Sequence, residues 1–69
     1  MTYKVKDIVI ERYNFDPSLY CYYKIYKIDI YYYYYYGLNI SCKGFSQKDY
    51  FEKRTNLVPK VKCVLLNLK

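Results

Sequence analysis

Residues 19–36 read LYCYYKIYKIDIYYYYYY, eighteen positions with neither glycine nor proline. Aromatic and β-branched side chains at this density favour extended backbone. One straight strand of that length would measure about 60 Å, against about 30 Å for a globule of this chain's size, so the run has to bend or break. Side-chain parity locates the break. Leu19, Cys21, Tyr23 and Ile25 share one face of an extended chain, after which Ile28, Ile30, Tyr32, Tyr34 and Tyr36 take over with the opposite parity. Tyr26 and Lys27 are poor turn formers, which favours a bulge or corner there over a tight reversal. If Ile28 and Ile30 point inward, Tyr32, Tyr34 and Tyr36 follow them. Lys27, Asp29, Tyr31, Tyr33 and Tyr35 then face outward, with the three phenols spaced about 7 Å apart.

Upstream, residues 3–13 are also β-rich, with a parity change: Tyr3 and Val5 are odd, Ile8 and Ile10 even. A bulge near Lys6 and Asp7 would reconcile them. Asp16 and Pro17 signal a turn, preferred over a helix start because strand formers follow. Downstream, Gly37 ends the tyrosine run and residues 38–43 can form one more short strand. Ser46 reads as a helix N-cap with Asp49 three residues on, and the helix should run to about Arg54 with Tyr50, Phe51 and Arg54 on one side. From Leu57 onward, alternation of Val61, Cys63 and Leu65 with Lys60, Lys62 and Val64 predicts a final strand, with Pro59 at its beginning or on an edge. The expected fold is a single small α+β domain over residues 1–69. It has a mostly antiparallel sheet of four or five strands and one short helix before the last.

Composition supports a folded chain. Of 69 residues 54% are hydrophobic, and the aromatics comprise thirteen Tyr, three Phe and no Trp. Tyrosine suits a thin sheet, because its ring packs while its hydroxyl still reaches water. The absence of Ala beside abundant Lys, Ile, Asn and Tyr is also what an AT-rich genome writes through codon bias. Twelve basic and six acidic residues leave a charge of +6, enough to favour polyanions. Nearly all of the excess lies in residues 35–69, which carry seven cations and two acids.

Charges at Lys4, Lys6 and Asp7 interrupt any signal-like apolar start. The tyrosine run is too short and too phenolic to span a bilayer. A cytoplasmic protein without membrane contact is expected.

Catalytic and metal-binding patterns are missing. With no His there is no triad and no Cys–His pair, and Gly37 and Gly44 make no phosphate loop. Cys21, Cys42 and Cys63 contain no Cys-x-x-Cys pair and would still need a fourth zinc ligand, so they read as small buried hydrophobes. No enzyme activity, no cofactor and no metal is expected.

Two binding readings remain. In the first, Tyr31, Tyr33 and Tyr35 anchor a protein partner with Lys27 and Asp29 as polar rim, as in an inhibitor or adaptor from a virus or mobile element. In the second, the tyrosines stack nucleic-acid bases while Lys48, Lys53, Arg54, Lys60 and Lys62 hold phosphates. Self-association through paired tyrosine faces, giving a homodimer, is a third possibility, since an uncharged tyrosine strand left open is an aggregation hazard.

Overall fold

The computed structural model of the chain describes residues 2–69. Five strands form one antiparallel sheet: β1 (Ile8–Tyr13), β2 (Asp16–Ile28), β3 (Tyr32–Gly37), β4 (Lys43–Gln47) and β5 (Thr55–Leu57). Helix α1 (Lys48–Arg54) lies between β4 and β5, and α2 (Lys60–Leu65) follows β5. The strand order is β4-β3-β2-β1-β5. The chain thus runs as a meander from β1 to β4, and α1 carries it back across the sheet to pair β5 with β1. This is the small α+β sheet that the β-rich pattern implied, with the helix where the Ser46–Asp49 pattern placed it. The cap differs: Gln47 is the N-cap and makes no side-chain cap bond, while Ser46 belongs to β4.

The long run bends where its parity changes. Ile25 pairs Tyr35 and Lys27 pairs Tyr34, which leaves Tyr26 extruded as a bulge. Beyond it, however, the strand continues only to Ile28. Asp29 reverses the chain: its Oδ1 accepts the backbone N–H of Tyr31 and of Tyr32, as short acidic side chains do in turns. Ile28 then pairs Tyr33, so four residues separate the two inward partners and the parity inverts. The expected assignment of the tyrosines is corrected accordingly. Tyr33 is fully buried and Tyr35 nearly so, whereas Tyr32, Tyr34 and Tyr36 are half-buried on the opposite face and Ile30 is exposed in the loop.

The core occupies one face of the sheet. Val9, Cys21, Tyr23, Ile25, Tyr33 and Tyr35 line it, and Phe51 of α1 and Tyr3 of the N-terminal segment close it. Phe51 stacks on Tyr35 with ring centroids 4.7 Å apart and also meets Tyr3, Tyr23 and Tyr33. Offset and edge-on ring pairs of this kind each add about 0.5–1.5 kcal/mol to their area burial.

Burying phenols obliges the fold to satisfy their hydroxyls. Tyr23 donates to Glu11 Oε1 at 2.9 Å, Tyr33 donates to Glu52 Oε2, and Tyr3 meets Thr55 Oγ1 at 2.9 Å. Tyr35 sits beside Ser46 Oγ at 2.9 Å and accepts from Arg54 at 2.9 Å. Burial first, and then the Glu52 carboxylate, push the Tyr33 phenol up to about 12. Tyr23 is raised further by burial and by Glu11.

Four local expectations resolve differently. The short strand expected over residues 38–43 is a loop up to Cys42, and β4 begins only at Lys43. The parity change near Lys6 is a turn at Val5 and Lys6, with Lys6 in the left-handed region at φ 78. At the first hairpin Arg12 pairs Tyr20 but Tyr13 pairs Asp16, so residues 17–19 bulge out, and Asp16 accepts both the N–H and the hydroxyl of Ser18. The predicted final strand is a three-residue β5 followed by α2. Pro59 is that helix's N-cap, its fixed φ suiting a helix start as well as an edge strand. Gly37 is required by space, because a Cβ there would lie 2.3 Å from the Ile40 carbonyl oxygen of the returning loop.

Candidate functional site

The face opposite α1 is open over β2, β3 and β4. Alternation places Lys24 and Lys27 of β2, Tyr32, Tyr34 and Tyr36 of β3, and Lys43 and Phe45 of β4 on this side, joined by Tyr26 from the bulge. Cross-strand register sets them in rows: Lys24 pairs Tyr36, which pairs Lys43, and Lys27 pairs Tyr34, which pairs Phe45. Phe45 is 61% exposed and Tyr26 is 39% exposed.

The rings touch one another. Tyr32 and Phe45 meet edge-on with centroids 5.3 Å apart, Tyr34 and Phe45 lie 5.7 Å apart, and Tyr26 bridges to Tyr36 at 5.9 Å. Two ammonium groups sit over ring faces, Lys27 Nζ at 4.9 Å from the Tyr34 centroid and Lys43 Nζ at 5.1 Å from that of Tyr26. Each ammonium lies where the ring quadrupole is most negative.

Asp29, the acid bonded to these rings, is occupied. Asp29 Oδ2 accepts the Tyr34 hydroxyl at 2.7 Å while Oδ1 takes two backbone N–H groups. The Tyr34 bond, followed by the Tyr32 amide, holds the Asp29 carboxyl below its ordinary 3.8. In return the Asp29 hydrogen bond raises the Tyr34 phenol. Glu11 and Glu52, which bond core tyrosines, serve the opposite face. The open face therefore presents rings and cations with no uncommitted carboxylate among its strand residues.

The residues singled out from sequence are divided by the fold. Lys27, Asp29 and Tyr31 lie at the exposed margin of this face, with Tyr31 69% exposed in the β2–β3 loop. Tyr33 and Tyr35 are in the core and offer no anchor. Lys48, with its Nζ 5.7 Å over the Tyr33 ring, Lys53 and Arg54 are on α1. Lys60 and Lys62 are on α2. The five cations thus lie on two separate helices. Arg54 is further committed to Glu11, Tyr35 and Ser46. What sequence reasoning missed is the even-numbered set, Tyr26, Tyr32, Tyr34 and Tyr36, with Lys24, Lys43 and Phe45. Asp29, the sole turn former inside the run, is the signal that would have revealed them.

Among the described residues no group of three His, Cys, Asp or Glu side chains is placed to hold a metal ion, and no helix is long and apolar enough to cross a membrane. Comparison with protein-family models, curated proteins and solved structures finds no match for the chain.

Proposed function

We propose that the chain is a cytoplasmic, non-enzymatic module that binds single-stranded nucleic acid on the open face of its sheet. The observation that carries this reading is the alternation of half-exposed rings with lysines on a surface whose marginal acid, Asp29, is committed to the Tyr34 hydroxyl and to two backbone N–H groups. Tyr32, Tyr34 and Tyr36 recur every two residues, about 7 Å apart along β3, and bases stack on such aromatic platforms without regard to sequence. Lys24, Lys27 and Lys43 border the rings and would meet the phosphate backbone. Two copies placed face to face would oppose these same cations, which disfavours a dimer through this surface.

Polarisation titration with oligothymidylate tests the reading. Three phosphate contacts predict that log K falls against log salt with a slope of about −2. Phe45→Ala removes an exposed ring and should weaken binding by roughly five-fold or more, as loss of one stacked base does. The idea is sunk by binding that is absent at low salt, or that survives Lys27→Gln with Lys43→Gln unchanged.

A second reading, an inhibitor or adaptor of viral or mobile-element origin that binds a protein, is favoured by α2. Its Val61, Val64 and Leu65 are 70–79% exposed, and none of its residues is buried. Binding through that surface would respond little to salt.

A further inference from the structure

A hollow of about 490 Å³ lies where the end of β1, the last turn of α1 and the start of β5 converge, lined by Arg12, Asn14, Tyr50, Lys53, Arg54 and Asn56. The topology brings its cations together. Glu11 pairs Thr55, so Arg12, one residue further along β1, emerges beside the junction at which Arg54 hands the chain to β5. Three of the six lining side chains are cationic, the other three are neutral hydrogen-bonding groups, and none is a carboxylate.

The position of Arg54 is only partly explained by its partners. Its guanidinium lies 3.4 Å from Glu11 Oε2, donates to Tyr35 and Ser46, and covers the Tyr50 ring at 5.0 Å. Its Nε is buried without a hydrogen-bond partner among the described residues. Glu11 offsets one positive charge and leaves two in the same hollow, an arrangement that self-repulsion opposes unless an anion sits between them. Arg12 and Lys53 are exposed and line the same hollow.

We propose that this cleft binds a phosphate-type oxyanion, the chemistry shared by a free phosphomonoester and by the terminal phosphate of a nucleic-acid strand. Guanidinium groups match that geometry with paired N–H donors, and an ammonium adds a point charge. The neutral hydrogen-bonding groups of Asn14, Asn56 and Tyr50 complete a polar lining. The cleft lies where β1, β5 and α1 meet and shares no lining residue with the open-face rings Tyr26, Tyr32, Tyr34, Tyr36 and Phe45, so phosphate binding here stands or falls separately from base stacking.

The test is thermal unfolding and chemical-shift titration of the whole chain with pyrophosphate, against sodium chloride at matched ionic strength. Pyrophosphate should raise Tm above the chloride control and shift the Asn14 and Asn56 resonances. Arg12→Gln with Lys53→Gln, both exposed positions, should weaken the apparent Kd about ten-fold or more. In chloride alone this variant should unfold no lower than wild type, because it relieves repulsion. Phe45→Ala should keep the pyrophosphate response, which separates this site from the aromatic face. Oligothymidylate carrying a 5′-phosphate, compared with its 5′-hydroxyl form, distinguishes the sources: a preference abolished by the double substitution assigns the cleft to a strand end, and equal affinity assigns it to a free phosphomonoester. An equal Tm rise in chloride, or an undiminished pyrophosphate response in the double variant, overturns the proposal.

Discussion

Tyr33 and Tyr34 are neighbours in sequence and should respond very unequally to truncation. Tyr33 is fully buried between Tyr3, at 5.5 Å, and Phe51, at 5.6 Å. Its hydroxyl donates to Glu52 and accepts the Tyr3 N–H at 3.1 Å. Replacing a buried ring of this size by Ala costs about 3–5 kcal/mol, and the stranded Tyr3 amide adds roughly 1 kcal/mol or more. A domain of 69 residues holds only about 3.5–10 kcal/mol in total. Tyr33→Ala should therefore lower Tm by roughly 20 °C or leave the chain unfolded, at about 4–8 °C per kcal/mol. Tyr34, half-buried on the open face, loses its contacts with Phe45 and Tyr26 and its bond to Asp29. Such a change costs about 1–1.5 kcal/mol. Urea and thermal unfolding followed by circular dichroism, with the two variants side by side, read the difference. Equal losses, or a larger loss for Tyr34→Ala, would refute the assignment of odd-numbered tyrosines to the core.

Other outcomes follow from the same contacts. The Tyr33 and Tyr23 phenols are raised in the folded state, so their contribution to stability is complete below their ordinary value of about 10 and is lost as pH rises through the folded values. Stability should fall steeply between about pH 10 and 12, and phenolate absorbance should show these two groups ionising only as the chain unfolds. Asp29 is held low, so its contribution is present above its ordinary 3.8 and disappears as pH falls through the folded value; Asp29→Asn should flatten that acid limb in equilibrium melts. Glu11→Gln keeps an acceptor for Tyr23 but leaves Arg54 without its counter-charge, at a cost of about 1–3 kcal/mol by denaturant unfolding. Val64→Lys should change stability by no more than about 0.5 kcal/mol, because that side chain is 78% exposed; a larger drop in Tm would mean that α2 packs where the structure leaves it open.

How much of this fold can be read along the chain is decided at two residues. Parity placed the Tyr26 bulge, because a bulge leaves its mark on side-chain alternation whatever the residues in it. Parity also implied that Ile28 pointed inward, and Ile28 does pack against the core. Alternation breaks at Asp29. Without glycine or proline the run carries no strong breaker, yet an acid holds a loop there by its side chain. Pro59 misled in the opposite direction. A proline with fixed φ fits an edge strand and a helix cap equally well, and α2 buries no residue that would have imposed a helical period on the apolar positions.

The candidate site was half legible for a related reason. Six identical residues carry no pattern of their own, so the choice between faces rests wholly on the phase supplied by what flanks them. The acids contain that phase. A buried phenol needs an acceptor, and Glu11 shares its face of β1 with Val9 in an otherwise apolar set, where a lone carboxylate would be costly unless it took a hydroxyl. Glu11 accepts from Tyr23, Glu52 from Tyr33, and Ser46 lies against Tyr35: each core phenol among the odd-numbered tyrosines has a polar partner facing it across the sheet or from α1. The even-numbered rings have only Asp29, at the margin, and lysines above them. Partner chemistry therefore sorts the two sets more surely than alternation does, and it assigns to the open face the rings that stay half-exposed in the monomer.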